Sequence, residues 1–185
     1  MHSNIINIIE ALLFAAGRPI RLSEIKNILE NNGVKSELSD IKKSLNSLEK
    51  RYLDTSIQIQ DVASGYRIQI KQEHSSYIGT LWNEKAPRIS KALMETISII
   101  AYKQPVTRGD IEDIRGVTVS TRSIRSLLER NWIKVSGYRD VPGRPTLYIT
   151  TKEFLDDLNI KNISDLPELP EKTEIIEDSI ISKAV

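Results

Sequence analysis

Two histidines, His2 and His74, and no cysteine are the whole supply of imidazole bases and soft metal ligands in this chain. Disulfides, thiolate zinc sites and iron–sulfur clusters are therefore excluded, and no Ser has a convincing base beside it. The sequence also lacks a phosphate-cradling Gly-Lys-Ser/Thr loop and a dinucleotide glycine fingerprint. The acids Glu112-Asp113 and Asp156-Asp157 are adjacent in sequence. Neighbours at i and i+1 on a helix point to different faces, so they read as solvated charges rather than a paired acid and base. No catalytic group, cofactor or metal is expected. What remains is recognition chemistry. Arg122 and Arg125 lie among Thr121, Ser123 and Ser126, a set suited to phosphates or guanine edges. Gly143-Arg144-Pro145 fits the core of a minor-groove hook, but it follows Asp140-Val141-Pro142 and joins two strand patterns, so it reads as a rigid wing loop.

The elements that must position these groups come in two copies. Shifting the sequence by 86 residues lays Arg18-Pro19-Ile20 on Gln104-Pro105-Val106, Glu24-Ile25 on Asp110-Ile111, and Leu38 and Ile41 on Ile124 and Leu127. Leu13-Phe14-Ala15 falls on Ile99-Ile100-Ala101 in the same shift. In the first copy Ile5, Ile8, Ile9, Leu12 and Leu13 recur at helical spacing until Gly17 and Pro19. Ser23 is placed to cap a second helix that ends at Asn31-Asn32-Gly33. Ile41, Leu45, Leu48 and Tyr52 define a third. The period then switches to two over Ile57-Ile59 and Tyr66-Ile68-Ile70, around an Ala63-Ser64-Gly65 turn. Tyr77, Ile78, Leu81 and Trp82 suggest one more helix before a boundary at Ala86-Pro87-Arg88.

The second copy repeats the order, with Thr107 and Asp110 as a capping box and a third helix carrying Ile124, Leu127 and Leu128. Trp132, Ile133 and Val135 are expected to pair with Leu147, Tyr148 and Ile149 across the loop Gly137 to Pro145. Three helices followed by a hairpin is the order of a winged helix. The expected fold is mainly α (α+β), two tandem winged-helix domains over residues 1–85 and 86–158, with an acidic tail at 159–185.

The 185 residues give room for two small cores. The net charge of +1 hides a gradient: residues 1–85 carry +1, 86–155 carry +5 and 156–185 carry −5. No stretch approaches the roughly 18 apolar residues of a membrane helix, and the first residues lack a basic leader, so a cytoplasmic protein is expected. The third helix of a winged helix is the default DNA reader. Its counterpart in the first copy offers Lys42, Lys43, Asn46, Glu49 and Lys50 with Glu37 and Asp40 at its start, a mixed surface. That weakens a sequence-specific reader, because phosphate neutralisation supplies much of the affinity for DNA.

Longer runs carry a family likeness. Ile9-Glu-Ala-Leu-Leu-Phe-Ala-Ala-Gly17, Ala101-Tyr-Lys-Gln-Pro-Val-Thr-Arg-Gly-Asp-Ile-Glu-Asp-Ile-Arg-Gly-Val117, Arg139-Asp-Val-Pro-Gly-Arg-Pro-Thr-Leu-Tyr148 and Asp165-Leu-Pro-Glu-Leu169 all resemble segments of the segregation and condensation protein B family. The resemblance implies a non-enzymatic subunit of two winged helices that forms a homodimer mainly through the N-terminal one. It further implies binding to the central region of the kleisin ScpA, which bridges the heads of an SMC ATPase dimer in chromosome condensation and segregation at the nucleoid. Under this reading Tyr77, Ile78, Leu81 and Trp82 are the candidate dimer surface. Tyr102, Gln104, Pro105, Arg115, Gly143, Arg144 and Pro145 are the candidate kleisin contacts, and any touch on DNA is weak or indirect. The rival is a tandem winged-helix transcription regulator that reads DNA through Arg122 and Arg125.

Overall fold

Alternate burial along the first helix, α1 (His2–Ala16), places Ile9 and Leu13 in a core with Ile25 and Leu29 of α2 (Leu22–Asn31) and Ile41, Leu45 and Leu48 of α3 (Leu38–Arg51). The structure is a computed structural model that describes residues 2–81 and 89–169. Strands β1 (Ile57–Val62) and β2 (Gly65–Ile70) form an antiparallel hairpin in which Ile57 faces Ile70 and Ile59 faces Ile68. Helix α4 (Ser75–Leu81) follows. The second copy runs α5 (Lys91–Lys103), α6 (Arg108–Arg115), α7 (Thr121–Glu129), β3 (Ile133–Tyr138), β4 (Thr146–Thr150) and α8 (Lys152–Asp157). Its core gathers Ile97, Ile100, Val106, Ile111, Val119, Leu127, Ile133 and Phe154. The two cores share no residue. Both halves are winged helices, and the fold is mainly α with two small hairpins.

The 86-residue shift is written into the backbone. Ile20 and Tyr66 exchange both N–H···O bonds at 2.8 Å, adding a one-residue third strand to the first wing. Val106 does the same with Tyr148, at 3.1 and 2.8 Å. The matched pairs Ile25 and Ile111, and Ile41 and Leu127, are all fully buried.

The first helix departs from that shift. Phe14 is 55% exposed while its counterpart Ile100 is fully buried. Burial pairs Ile9 with Ile97 and Leu13 with Ala101, a shift of 88. The cause lies in the exits. Helix α1 closes on Gly17 in the left-handed region (φ 62°), and two more residues separate its buried face from Ile20, whereas α5 ends on Gln104 already extended (ψ 143°).

Capping differs between the copies. Ser23 does not cap α2: the cap position is Arg21, without a side-chain bond, because the helix begins two residues earlier, at Leu22. Its other end is as expected. Val34 N–H reaches Leu29 O (2.9 Å) and Gly33 N–H reaches Glu30 O (3.0 Å), the paired bonds that close a helix on a left-handed glycine. In the second copy hydroxyls cap four helices: Ser90, Thr107, Ser120 and Thr151 accept from Leu93, Asp110, Ser123 and Phe154 N–H. The Thr107–Asp110 capping box is formed in both directions. Leu128, read as a core position, is exposed, since one face of α7 suffices to cover the small core. Among the described residues no helix is long and apolar enough to cross a membrane.

Candidate partner-binding surfaces

The end of α5 meets the second wing through Gln104. Its Oε1 accepts from Thr150 N–H at 2.6 Å and from Thr150 Oγ1 at 2.9 Å, so the side chain fastens helix to strand. Two residues back, Tyr102 OH donates to Pro167 O and holds the Asp165-Leu-Pro-Glu-Leu169 segment against α5. Pro105, joined to Gln104 by a cis peptide bond, is exposed beside these ties. Tyr102, Gln104 and Pro105 therefore share one corner.

The wing loop is fixed to the start of α6. Arg139 grips Asp110 with both terminal nitrogens, at 2.9 and 2.6 Å, and its own N–H donates to Pro145 O at 2.9 Å. Inside the loop Gly143 (φ 85°) and Arg144 (φ 39°) turn through the left-handed region, and the Arg144 guanidinium lies 6.0 Å from the centre of the exposed Tyr138 ring. Gly143, Arg144 and Pro145 thus form a braced, outward-facing tip. Arg139 was not singled out from sequence as a site residue. Its position in the Arg139 to Tyr148 run, with Asp110 in the other long run, was the available signal.

Arg115 sits elsewhere. At the far end of α6 its side chain is only 10% exposed and pairs with Glu95 of α5 at 3.1 Å. It occupies the position matched by the buried Leu29 in the first copy, so it works as a packing strut with one outward partner. The structure therefore gathers Tyr102, Gln104 and Pro105, places the wing tip on its own brace, and leaves Arg115 apart.

Asp110 carries an electrostatic signature of this bracing. The Arg139 guanidinium, followed by the Thr107 N–H, holds its carboxyl down at about 2, against 3.8 for an unperturbed group. A depressed folded-state value stabilises the fold above the unfolded value, and that contribution is lost as pH falls. We expect Asp110 to titrate near pH 2 by side-chain NMR, and stability to decline between about pH 4 and pH 2. Arg139→Ala should move the midpoint up toward 3.8 and flatten that limb. An unchanged midpoint would show that the pair is not formed in solution.

Other acids read as solvated also have partners. Glu112 accepts Val119 N–H at 2.8 Å and pairs with Arg108, which lowers its pKa. Asp156 is buried and Asp157 accepts the Trp132 indole N–H at 2.7 Å. Adjacent positions do point apart: Glu112, Asp156 and Asp157 each have a separate donor, and Asp113 is exposed.

On α4 Tyr77 and Leu81 are 76% and 74% exposed, one helical turn apart on one face, with Ile78 partly buried. Trp82 and the Ala86-Pro87-Arg88 boundary lie outside the described residues. On α7 Arg122 and Arg125 are exposed beside Thr121, Ser126 and Glu129, and neither joins an ion pair among the described residues. On α3, by contrast, Lys43 pairs with Asp40. Among the described residues no cluster of His, Asp and Glu could hold a metal ion.

A family model for the segregation and condensation complex subunit ScpB matches residues 7–169. The Segregation and condensation protein B homolog of Coxiella burnetii is 42% identical over 168 residues, covering 91% of this chain and 80% of its own length. The Segregation and condensation protein B of Syntrophotalea carbinolica is 38% identical over 174 residues, covering 93% and 85%. Among solved structures, a dimer of an ScpB N-terminal domain complexed with an ScpA peptide is similar at 32% identity, covering 43% of this chain and 95% of that one, with a TM-score of 0.37.

Proposed function

Since the chain belongs to the family of segregation and condensation complex subunit ScpB, we propose that it acts as a dimeric, non-enzymatic adaptor that binds the kleisin ScpA. In this reading residues 1–85 form the dimerising domain and residues 86–158 a second domain that adds kleisin contacts. Through the kleisin the adaptor joins an SMC ATPase in the cytoplasm, at the nucleoid. The observation that carries the dimer is the exposed apolar face of α4. Two large side chains at i and i+4, Tyr77 and Leu81, have little cover among the described residues. A two-fold axis turns one such patch into a self-complementary interface. For the kleisin, exposed Pro105 beside half-buried Tyr102, and exposed Gly143 and Arg144 beside half-buried Pro145, offer apolar and cationic anchors on rigid supports. A peptide laid across them would gain affinity without ordering the receptor. Gln104 supports this surface from within by fastening α5 to β4, whereas Arg115 lies apart from it. Arg122 and Arg125 leave room for a weak, indirect contact with DNA.

The dimer surface is checked by sedimentation equilibrium on the full chain. Wild type is expected to fit a dimer at micromolar concentration, and Tyr77→Glu with Leu81→Glu a monomer of unchanged helix content. A double variant that remains dimeric would move the interface away from α4.

A further inference from the structure

The two winged helices meet along a seam of polar contacts. On one side are residues of the first wing, β1 and β2 with their turn, and on the other are residues 156–161, the end of α8 and the turn after it. Ser64 N–H donates to Asp156 Oδ1 at 2.9 Å. Arg67 Nη2 donates to Asp156 O at 2.8 Å and to Asn159 Oδ1 at 2.7 Å. Gln60 Nε2 donates to Asn159 O at 3.1 Å, and Lys161 Nζ pairs with Asp61 Oδ2 at 2.6 Å.

These contacts are specific. Asp156 is only 8% exposed and would be an unpaired buried carboxylate without the Ser64 N–H. Asn159 adopts the left-handed region (φ 59°), which aims both its carbonyl and its side chain at the wing. Yet the seam is unlike either core. The two hydrophobic clusters share no residue, and the one apolar side chain of the first wing that is fully buried outside both is Val62, at the end of β1. The Lys161–Asp61 pair is half-exposed on the lysine side, where salt screens it. A joint of this kind has definite geometry and a small net free energy, which is the combination a releasable contact requires.

We propose that this seam is a clasp: closed, it sets one fixed angle between the two winged helices, and opened, it lets them reorient without unfolding either. The inference goes beyond the adaptor reading and does not depend on which partner is bound.

The chain has no cysteine, so labels can be placed at will. Spin labels at Asn46→Cys on α3 and Glu129→Cys on α7, both exposed, report the distance between the copies. Labelled chains are diluted with unlabelled ones so that only intrachain distances are read by pulsed electron resonance. A single narrow distance is expected at about 0.1 M salt, broadening near 1 M, where the screening length falls to about 3 Å. Arg67→Ala with Lys161→Ala should abolish the narrow peak while circular dichroism and melting show both copies folded. Should that variant misfold, Asn159→Gly with Lys161→Ala decides instead, because glycine keeps the left-handed turn and removes the acceptor. A narrow distance that survives the folded variant, or a broad one already present in wild type at low salt, overturns the clasp.

Discussion

Gly65→Ala is expected to cost the first winged helix about 2–4 kcal/mol, while Gly137→Ala in the second wing costs about 1–2 kcal/mol. Gly65 opens β2 at φ 136°, facing the short third strand. A Cβ there would lie 2.3 Å from Ile20 O, 2.5 Å from Ile20 C and 2.8 Å from Arg21 N. All three are backbone atoms, so no rotamer change relieves the clash. The next residue, Tyr66, makes the paired bonds to Ile20 that tie helix-side chain to wing. Relief therefore means breaking that bridge. Gly137 also has a positive φ (156°) but has open space around its Cβ direction, so it meets backbone strain alone. Urea unfolding of the two variants checks the contrast. Equal losses would show that the Ile20 strand is not docked on the first wing.

The second large effect separates the two cores. Ile25→Ala and Ile111→Ala occupy matched positions, and each side chain is fully buried. Leaving a cavity at either site should cost about 2–5 kcal/mol, the range for removing a large aliphatic side chain from a packed interior. Because the clusters share no residue, the loss is expected to stay local. Hydrogen exchange read by mass spectrometry should show Ile111→Ala weakening protection in α5 to α8 and leaving α1 to α3 near wild type, with Ile25→Ala doing the reverse. Loss of protection in both halves from either substitution would mean that the chain unfolds as one cooperative unit.

Much of this architecture was legible because local signals agreed. The helix-to-strand change of period, the Thr107–Asp110 box and the left-handed Gly33 each depend on residues a few positions apart. The repeat carried further, since it predicted the equivalence of Ile20 and Val106, which the structure expresses as the same strand bridge in both halves. It failed on α1 and α5, because two extra exit residues rotate a helix and move Phe14 outward. Sequence identity of type did not reveal that rotation.

The polar ties were harder to read. Arg139 finds Asp110 across 29 residues and Arg67 finds Asp156 across 89, separations at which no pattern links donor to acceptor. For the same reason Asp156 looked like a solvated acid and proved to be buried. Arg115 and Gln104 were picked from the family runs as contact residues, and the structure gives both an internal bonding role. Pro105, Arg144 and the α4 pair face outward and remain the surfaces proposed for partners.

The adaptor account stands or falls on a titration of the 185-residue chain with a purified central fragment of ScpA, followed by fluorescence anisotropy of the labelled fragment. It predicts saturable binding at micromolar concentration or below, with affinity lowered about tenfold or more when Pro105→Ala and Arg144→Ala remove exposed anchors. An anisotropy that stays flat to tens of micromolar wild-type protein would contradict it.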